Sequence, residues 1–264
     1  PFPFPWDLEK MSVSGSELFL EHLKDLEQKG VNLKRIAAFM IESFQGWGAV
    51  FYPDDYVTEM ANFASENKSL LVCDEIQAGF GRTGKLFAYQ HYGVQPDIVC
   101  CGKAASNSMP LSIVLATQKI IDLDPTYTST HGGHPFACAA GLGTLEAFEE
   151  MDLINESKRK EQIFNKYLSK IQETYPKIVP LSLGRGMLHA LFITDPNADP
   201  SLPIMERLDF DLTDKIVEKA MQNGLFLIRT GCGTLKFGPP LMTPDEVLEE
   251  ALTVLEKIIK GIYP

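Results

Sequence analysis

The chain has 264 residues, of which 45% are hydrophobic and 22% charged, and its formal net charge is −11 at pH 7. This balance is typical of a soluble globular protein of one or two domains. The negative charge argues against nucleic acid or an anionic membrane as a partner. No apolar run approaches the roughly 20 residues of a membrane-spanning helix. The first residues lack the pattern of a signal peptide and start without Met, so we expect an internal start and an N-terminally incomplete chain.

The predicted elements of the first half alternate between helices and strands. They are, in order, a helix from Ser14 with a Ser cap, the strand IAAFMIE, the helix DDYVTEMANFASENKS, and strands next to Asp74, Lys103 and Leu111. Strand, helix, strand is the order of a parallel sheet. We therefore expect these strands to belong to one mostly parallel sheet.

The second half is richer in helices and poorer in strands. Its predicted elements are a helix from Pro135, a charged amphipathic helix from Ile154, short strands around Met187 to Ile193 and Leu225 to Ile228, a short strand LKF, and a final helix after Thr243. We place a domain boundary near Phe148. Residues 1–148 would form part of a large parallel-sheet domain, and residues 149–264 a smaller α+β domain.

The five cysteines are odd in number and lack a Cys-x-x-Cys spacing. Four of them lie in apolar or small-residue stretches, so we expect buried thiols in a reducing compartment and a cytoplasmic protein. His131 and His134 are close in sequence but flank a Gly-Gly turn without a third ligand nearby. The sequence therefore predicts no metal site.

Asp74 and Lys103 each follow a short, β-branched apolar run that predicts a buried parallel strand. Ligands of open α/β sheets bind outside the carboxyl ends of the strands. An acid and an amine at that edge are what pyridoxal phosphate requires, because the amine forms a Schiff base and the acid keeps the pyridine nitrogen protonated. Taken singly, each residue could also be an ordinary charge at the end of a strand.

Four segments around these residues carry a family resemblance. They are IAAFMIESFQGWG, CDEIQAGFGRTGKLFAYQHYGVQPDIV, CGKAASNSMPLS and STHGGHPFACAAGL, in that order. From about Arg35 to the C-terminus the chain resembles the class III aminotransferases of fold-type I, which depend on pyridoxal phosphate. The resemblance implies an α/β fold that holds the C-terminal part of the large domain plus the small α+β domain. It also implies a homodimer with shared active sites.

The resemblance assigns four residues to the cofactor. Lys103 would carry it and then move the substrate proton as a base. Asp74 would pair with the pyridinium nitrogen, and because an unpaired buried acid is costly, we expect a cationic partner for it. Ile76 would pack under the ring, although any strand Ile would also pack. Gln77 matches the residue that hydrogen-bonds near the ring oxygen.

Two further segments match the family with differences. Thr130 lies in STHGGHP, at the position of a Thr that reaches the cofactor phosphate of the other subunit, although a Thr before Gly-Gly could equally be a turn residue. The Gly-rich stretch GFGRTG is implied to be a structural turn with Arg82 in a salt-bridge network.

The predicted substrate residues are Glu42 and Lys236. Residues 42–46 read Glu-Ser-Phe-Gln-Gly where the family has Glu-Pro-Ile-Gln-Gly. In several family members this Glu gates an Arg that holds the substrate α-carboxylate, within an Arg-Phe-x-Pro-Pro segment near the C-terminus. Lys236 stands at the position of that Arg, where it keeps the charge but loses the bidentate fork. A solvated Lys on a short strand is the alternative, and both interpretations stay open.

The implied reaction is transfer of an amino group from an ω-amino donor, such as 4-aminobutyrate or an ornithine-like compound, to a 2-oxo acid. Glutamate and 2-oxoglutarate are the expected second pair. One alternative is an aminomutase or racemase on the same scaffold. The other is a catalytically incompetent partial chain, because the family's N-terminal strands, its phosphate loop at a helix N-terminus and its ring-stacking aromatic have no counterpart here.

Overall fold

Four strands form the first sheet of the structure, a computed structural model that describes residues 2–124, 126 and 128–263. The strands are β1 (Ala38–Glu42), β2 (Leu70–Asp74), β3 (Ile98–Cys101) and β4 (Ile113–Ala116), and they lie side by side in that order. The first three are parallel, and β4 runs antiparallel to β3. The sheet is therefore mixed, with its parallel carboxyl ends at one edge.

The helices of this half are α1 (Pro5–Met11), α2 (Gly15–Gln28), α3 (Asp54–Asn67), α4 (Gln118–Ile121) and α5 (Pro135–Glu150). The cap of α2 is the one predicted from its sequence. The Ser14 hydroxyl accepts a hydrogen bond from the Glu17 amide at 3.1 Å, and the Glu17 carboxylate accepts from the Ser14 amide at 2.9 Å. Helix α3 is the crossover that joins the parallel strands β1 and β2, and it packs against α2.

A second sheet lies in the C-terminal half. Its strands are β5 (Leu181–Arg185), β6 (Leu188–Phe192), β7 (Ile228–Arg229) and β8 (Thr234–Phe237), in the order β5-β6-β8-β7 and antiparallel throughout. The accompanying helices are α6 (Leu153–Thr174), α7 (Phe210–Gln222) and α8 (Asp245–Ile262). All five residues of β6 are buried, because helix faces rich in Leu and Ile pack with this sheet into one apolar core.

The chain divides into two compact units. The first unit comprises Pro1–Phe44, Phe51–Phe80 and Lys85–Asp152, and the second comprises Gln45–Val50, Gly81–Gly84 and Leu153–Pro264. Each unit holds one of the two sheets. The domain boundary placed near Phe148 from the sequence stays a prediction.

Several elements differ from the sequence-based expectation. The strand from Leu111 does not extend a parallel sheet, because residues 102–112 reverse the chain without a crossover helix and β4 returns antiparallel. The strand predicted at Leu225 to Ile228 occupies only Ile228–Arg229. Strand β5 and helix α7 were not predicted. The expectation of buried cysteines holds for Cys73 and Cys101 but is wrong for Cys138, which is exposed on α5.

A tight turn joins β5 to β6, and its glycine cannot be replaced without strain. Gly186 has φ +60, and a Cβ there would lie 2.5 Å from the Gly84 nitrogen and 2.6 Å from the Thr83 carbonyl carbon. Next to it, the Met187 amide donates to the Arg82 carbonyl at 2.9 Å. The turn is thus pressed against the backbone of residues 82–84.

Gly186→Ala should lower the free energy of unfolding by roughly 2–5 kcal/mol, the sum of a left-handed backbone and a backbone clash. Gly224→Ala is the matched control, because Gly224 has φ +78 but nothing within 4 Å of its added Cβ. The control should lose only about 1–2 kcal/mol. Urea unfolding measures both, and equal losses would show that the close approach at Gly186 is not a constraint.

His189 is a buried titratable group in the second core. It is 2% exposed, it stacks on Phe164 with ring centroids 4.5 Å apart, and its Nε2 lies 3.1 Å from the Gly186 carbonyl oxygen. Burial lowers the pKa of His189 to about 4. The imidazole is therefore neutral in the folded protein at ordinary pH, with Nε2 as the donor to that carbonyl.

The stability of the chain should fall as the pH is lowered from about 6.5 to about 4. In that window the unfolded chain binds a proton at His189 and the folded chain does not, since the unfolded pKa is about 6.5. The loss should reach roughly 3 kcal/mol at the lower end. Urea unfolding at several pH values in this range measures the free energy of unfolding. That free energy should fall less steeply with decreasing pH for His189→Phe than for wild type, and an identical pH dependence would contradict the assignment.

Candidate active site

The parallel strands of the first sheet bring an acid from β2 and an amine after β3 to one edge. Asp74 ends β2, where it lies in register with Glu42 on β1 and Cys100 on β3. Lys103 follows the end of β3 after a single glycine. The edge is the place where open α/β sheets bind ligands.

A cavity of about 120 Å³ lies at this edge within the first unit. Its lining combines acidic, basic and apolar side chains: Glu42, Phe44, Asp74, Ile76, Gln77, Ala78 and Lys103. Five of the seven predicted site residues are thus brought together by the fold. Phe44 and Ala78 were not predicted, although Ala78 directly follows Gln77 and Phe44 stands two residues after Glu42, so proximity in the sequence could have indicated them.

Lys103 occupies an unusual backbone position. Its φ is +44, in the left-handed region, and it opens a 3-10 turn that spans Lys103–Ser106. A non-glycine residue held in this region costs of the order of 1–3 kcal/mol and persists where the surrounding structure fixes it. The backbone strain at Lys103 indicates that this residue is retained because of where its side chain lies, and not because it stabilises the fold.

Asp74 is half-buried and keeps capacity to accept hydrogen bonds. Its Oδ1 accepts from the Ile76 amide at 2.9 Å, and no Lys or Arg of the described residues forms an ion pair with it. The cationic partner expected from the sequence is therefore not a side chain in the described part of the chain. Its second oxygen can still accept from a cationic N–H that enters the cavity.

The remaining predicted residues lie elsewhere. Thr130 is exposed and does not line the cavity. Lys236, on β8 of the second unit, lines a different cavity of about 390 Å³, whose other lining residues are mostly apolar and belong to that unit.

Arg82 differs from its predicted role. Carbonyl oxygens, rather than the carboxylates of a salt-bridge network, accept its hydrogen bonds: that of Pro239 at 2.5 Å and that of Met187 at 3.4 Å. Burial lowers the pKa of Arg82. The GFGRTG segment is a structural turn, as predicted, and Arg82, which belongs to the second unit, bonds to two other segments of that unit.

The comparisons with known proteins place the chain in a family. A family model described as aminotransferase class-III matches residues 2–259. The chain belongs to the class III aminotransferases. The match confirms the predicted family and begins well before Arg35. Members of this family depend on pyridoxal phosphate.

Individual relatives and structures agree with this assignment of the chain as a class III aminotransferase. It is 32% identical over 84% of its length to an acetylornithine aminotransferase of Gloeobacter violaceus, covering 52% of that protein. It is 32% identical over 92% of its length to a leucine/methionine racemase of Thermococcus litoralis, covering 54% of it. A crystal structure of an aminotransferase from Bacillus anthracis matches 92% of the chain with a TM-score of 0.82 at 26% identity, and 56% of that structure is covered. The fold is therefore fold-type I, and the chain spans about half the length of the curated relatives it matches.

The residues of the cavity fit the family's cofactor. The cavity wall holds the amine of Lys103 and a carboxylate with a free acceptor oxygen at Asp74, which are the two groups that pyridoxal phosphate needs. Ile76 adds an apolar surface beside them. Among the described residues there is no group of three His, Cys, Asp or Glu side chains that could hold a metal ion. No helix in that part of the chain is long and apolar enough to cross a membrane.

Proposed function

We propose that this protein is a pyridoxal-phosphate-dependent aminotransferase that moves an amino group from an ω-amino donor to a 2-oxo acid. The observation that carries the proposal is that Asp74 and Lys103 line one cavity at the carboxyl edge of a parallel sheet. Family membership supports it, since a class III chain with this pair has the two groups the cofactor requires.

The chain's own residues would divide the work. Pyridoxal phosphate, when bound, supplies an electron sink for the negative charge left on the substrate carbon. The Lys103 amine would hold the cofactor and would act as the base that takes and returns the substrate proton. The Asp74 carboxylate holds the proton at the ring nitrogen. Ile76 would exclude water from the ring, and the Gln77 side chain would supply a hydrogen bond to it.

We extend the proposal to a homodimer in which Thr130 of each subunit contacts the cofactor phosphate of the other. Thr130 precedes α5, on which Phe136 and Leu142 are 74% and 62% exposed, and large apolar side chains on one helix are typical of a covered surface. All five cysteines are free thiols, which supports the proposed cytoplasmic location.

A panel of amino donors tests the reaction. Ornithine, acetylornithine and 4-aminobutyrate are each incubated with 2-oxoglutarate and pyridoxal phosphate, and glutamate formation is measured. Turnover with one of these donors is the expected result. The racemase among the relatives makes racemisation the second candidate. Loss of optical activity in a single amino acid without an oxo acid would favour it, and binding of the cofactor without either reaction would favour a catalytically incompetent chain.

The proposed role of Lys236 predicts a substrate-selective effect. If Lys236 holds the substrate α-carboxylate, Lys236→Met should raise the KM for carboxylate-bearing donors by roughly 10- to 100-fold, since a charge-assisted hydrogen bond contributes about 1.5–3 kcal/mol. Lys236→Arg should lower it, because the fork forms two parallel hydrogen bonds. If Lys236→Met raised the KM equally for a donor that lacks a carboxylate, Lys236 would be only a solvated surface charge.

A further inference from the structure

Glu75 is a carboxylate with no exposed surface directly beside the cavity residue Asp74. Three neutral donors satisfy it. The Ser43 hydroxyl donates to Oε1 at 2.5 Å, the Tyr89 amide donates to Oε1 at 2.8 Å, and the Ala88 amide donates to Oε2 at 2.8 Å. No Lys or Arg of the described residues is paired with it. A buried carboxylate held only by neutral donors is sensitive to the loss of any one of them.

Ser43 is the donor that ties this carboxylate to the neighbouring strand. It has no exposed surface, and each of its polar groups is bonded. Besides the hydroxyl bond, its amide donates to the Asp74 carbonyl at 3.4 Å and its carbonyl accepts from the Tyr92 hydroxyl at 2.6 Å. The hydrogen bond from the Ser43 amide to the Asp74 carbonyl extends the β1–β2 ladder one step beyond the pair formed by Glu42 and Asp74.

The linked residues stand between cavity-lining residues on both strands. Ser43 lies between Glu42 and Phe44, and Glu75 lies between Asp74 and Ile76, and all four neighbours line the cavity. Ser43 and Glu75 themselves have no exposed surface and do not line the cavity, whereas these four neighbours do. The Ser43–Glu75 hydrogen bond lies outside the cavity lining. It therefore fixes the distance between the lining residues next to Ser43 and those next to Glu75.

The sequence of this chain makes the link possible. The family pattern has Pro at the position of Ser43. A Pro has neither a hydroxyl nor an amide N–H, so it could form neither the bond to Glu75 nor the bond to the Asp74 carbonyl. A chain with Pro at position 43 would therefore lack both hydrogen bonds.

We propose that Ser43 and Glu75 form a positioning pair, which holds the β1 wall of the cofactor cavity at a fixed distance from the β2 wall. The inference rests on the proposed function, because the cavity is taken as the pyridoxal phosphate site. The pair does not touch the cofactor. It preorganises the residues that do, so its loss should appear in cofactor affinity and in the reactivity of Lys103.

Ser43→Ala, Ser43→Thr and Ser69→Ala test the pair. Ser69 is the matched control, because it is 5% exposed and its hydroxyl donates to the Ile36 carbonyl at 2.7 Å ahead of β2, at the opposite end of the strand. The readouts are the Kd for pyridoxal phosphate by absorbance titration, the rate of borohydride-trapped labelling at Lys103, and the thermal midpoint. Ser43→Ala should raise the Kd about tenfold and slow the labelling, in line with one lost buried hydrogen bond.

Ser43→Thr keeps the hydroxyl and should restore the wild-type Kd, whereas Ser69→Ala should lower only the thermal midpoint. In Glu75→Gln an NH2 group replaces one carboxylate oxygen, and it has to face the amide N–H of either Ala88 or Tyr89. This variant should therefore act like Ser43→Ala. The double variant Ser43→Ala/Glu75→Gln should then add little to either single change. An unchanged Kd in Ser43→Ala, or an equal rise in Ser69→Ala, would overturn the pairing while leaving the proposed function intact. Labelling at a lysine other than Lys103 in the wild type would overturn both.

Discussion

Lys103→Ala should remove the yellow absorbance of the protein with pyridoxal phosphate and abolish amino transfer. The variant loses the covalent anchor and also the base that moves the substrate proton, and the base alone contributes roughly 10²–10⁴-fold to the rate. Borohydride reduction followed by peptide mapping should label the Lys103 peptide in the wild type and leave it unlabelled in the variant. Amino-donor turnover is measured in parallel.

Lys68→Ala is the matched control for this result. Lys68 is also exposed, also belongs to the first unit and also has a left-handed backbone, with φ +58 at the end of α3, but it does not line the cavity. The control should keep its absorbance, labelling and turnover. If Lys103→Ala retained a covalently trapped cofactor at another lysine together with turnover, Lys103 would have no catalytic role.

Asp74→Asn should bind pyridoxal phosphate but lose about 3 kcal/mol of transition-state stabilisation, or roughly two orders of magnitude in kcat. The amide cannot hold a proton on the ring nitrogen, so the ring becomes a weaker electron sink. The fold should change little, because Asn retains the oxygen that accepts from the Ile76 amide at 2.9 Å. Steady-state kinetics and urea unfolding separate the two effects.

Asp97→Asn serves as the control for that change. Asp97 accepts a hydrogen bond from the Leu71 amide at 2.8 Å, near the amino end of β2 and outside the cavity lining. It should turn over donors like the wild type. Wild-type kcat in Asp74→Asn would remove Asp74 from the mechanism, whereas an equal loss in both variants would indicate a general effect of neutral substitutions on the sheet.

The cavity was largely predictable from the sequence because its residues are local to strand ends. The short apolar runs before Asp74 and Lys103 predict where each strand stops, and parallel pairing then brings the two ends to one edge. The capping box at Ser14 is likewise a purely local signal. What a few neighbouring residues determine can be found without a structure.

The rest depends on contacts between distant parts of the chain. The direction of β4 depends on how residues 102–112 turn, and the two-residue strand β7 exists only because β8 lies beside it. The acceptors of Arg82 are the carbonyl oxygens of Met187 and Pro239, far away in sequence, so the salt-bridge network implied by the resemblance was the wrong expectation. The bond between Ser43 and Glu75 joins two strands and has no sequence pattern that predicts it.

The division into two units has a consequence for the order in which the chain can fold during synthesis. The chain passes between the units at residues 44/45, 50/51, 80/81, 84/85 and 152/153. Two short segments of the second unit, residues 45–50 and 81–84, are synthesised early. The first supplies the Trp47 carbonyl, which accepts a hydrogen bond from the Thr234 hydroxyl, and the second supplies Arg82, which donates to the Pro239 carbonyl. The ribosome therefore releases these segments long before their partners exist, and a fragment that starts at Leu153 would lack them. The second unit can therefore complete its core only after the residues of α8 have been synthesised, because α8 packs into that core and the early segments bond to residues far along the chain.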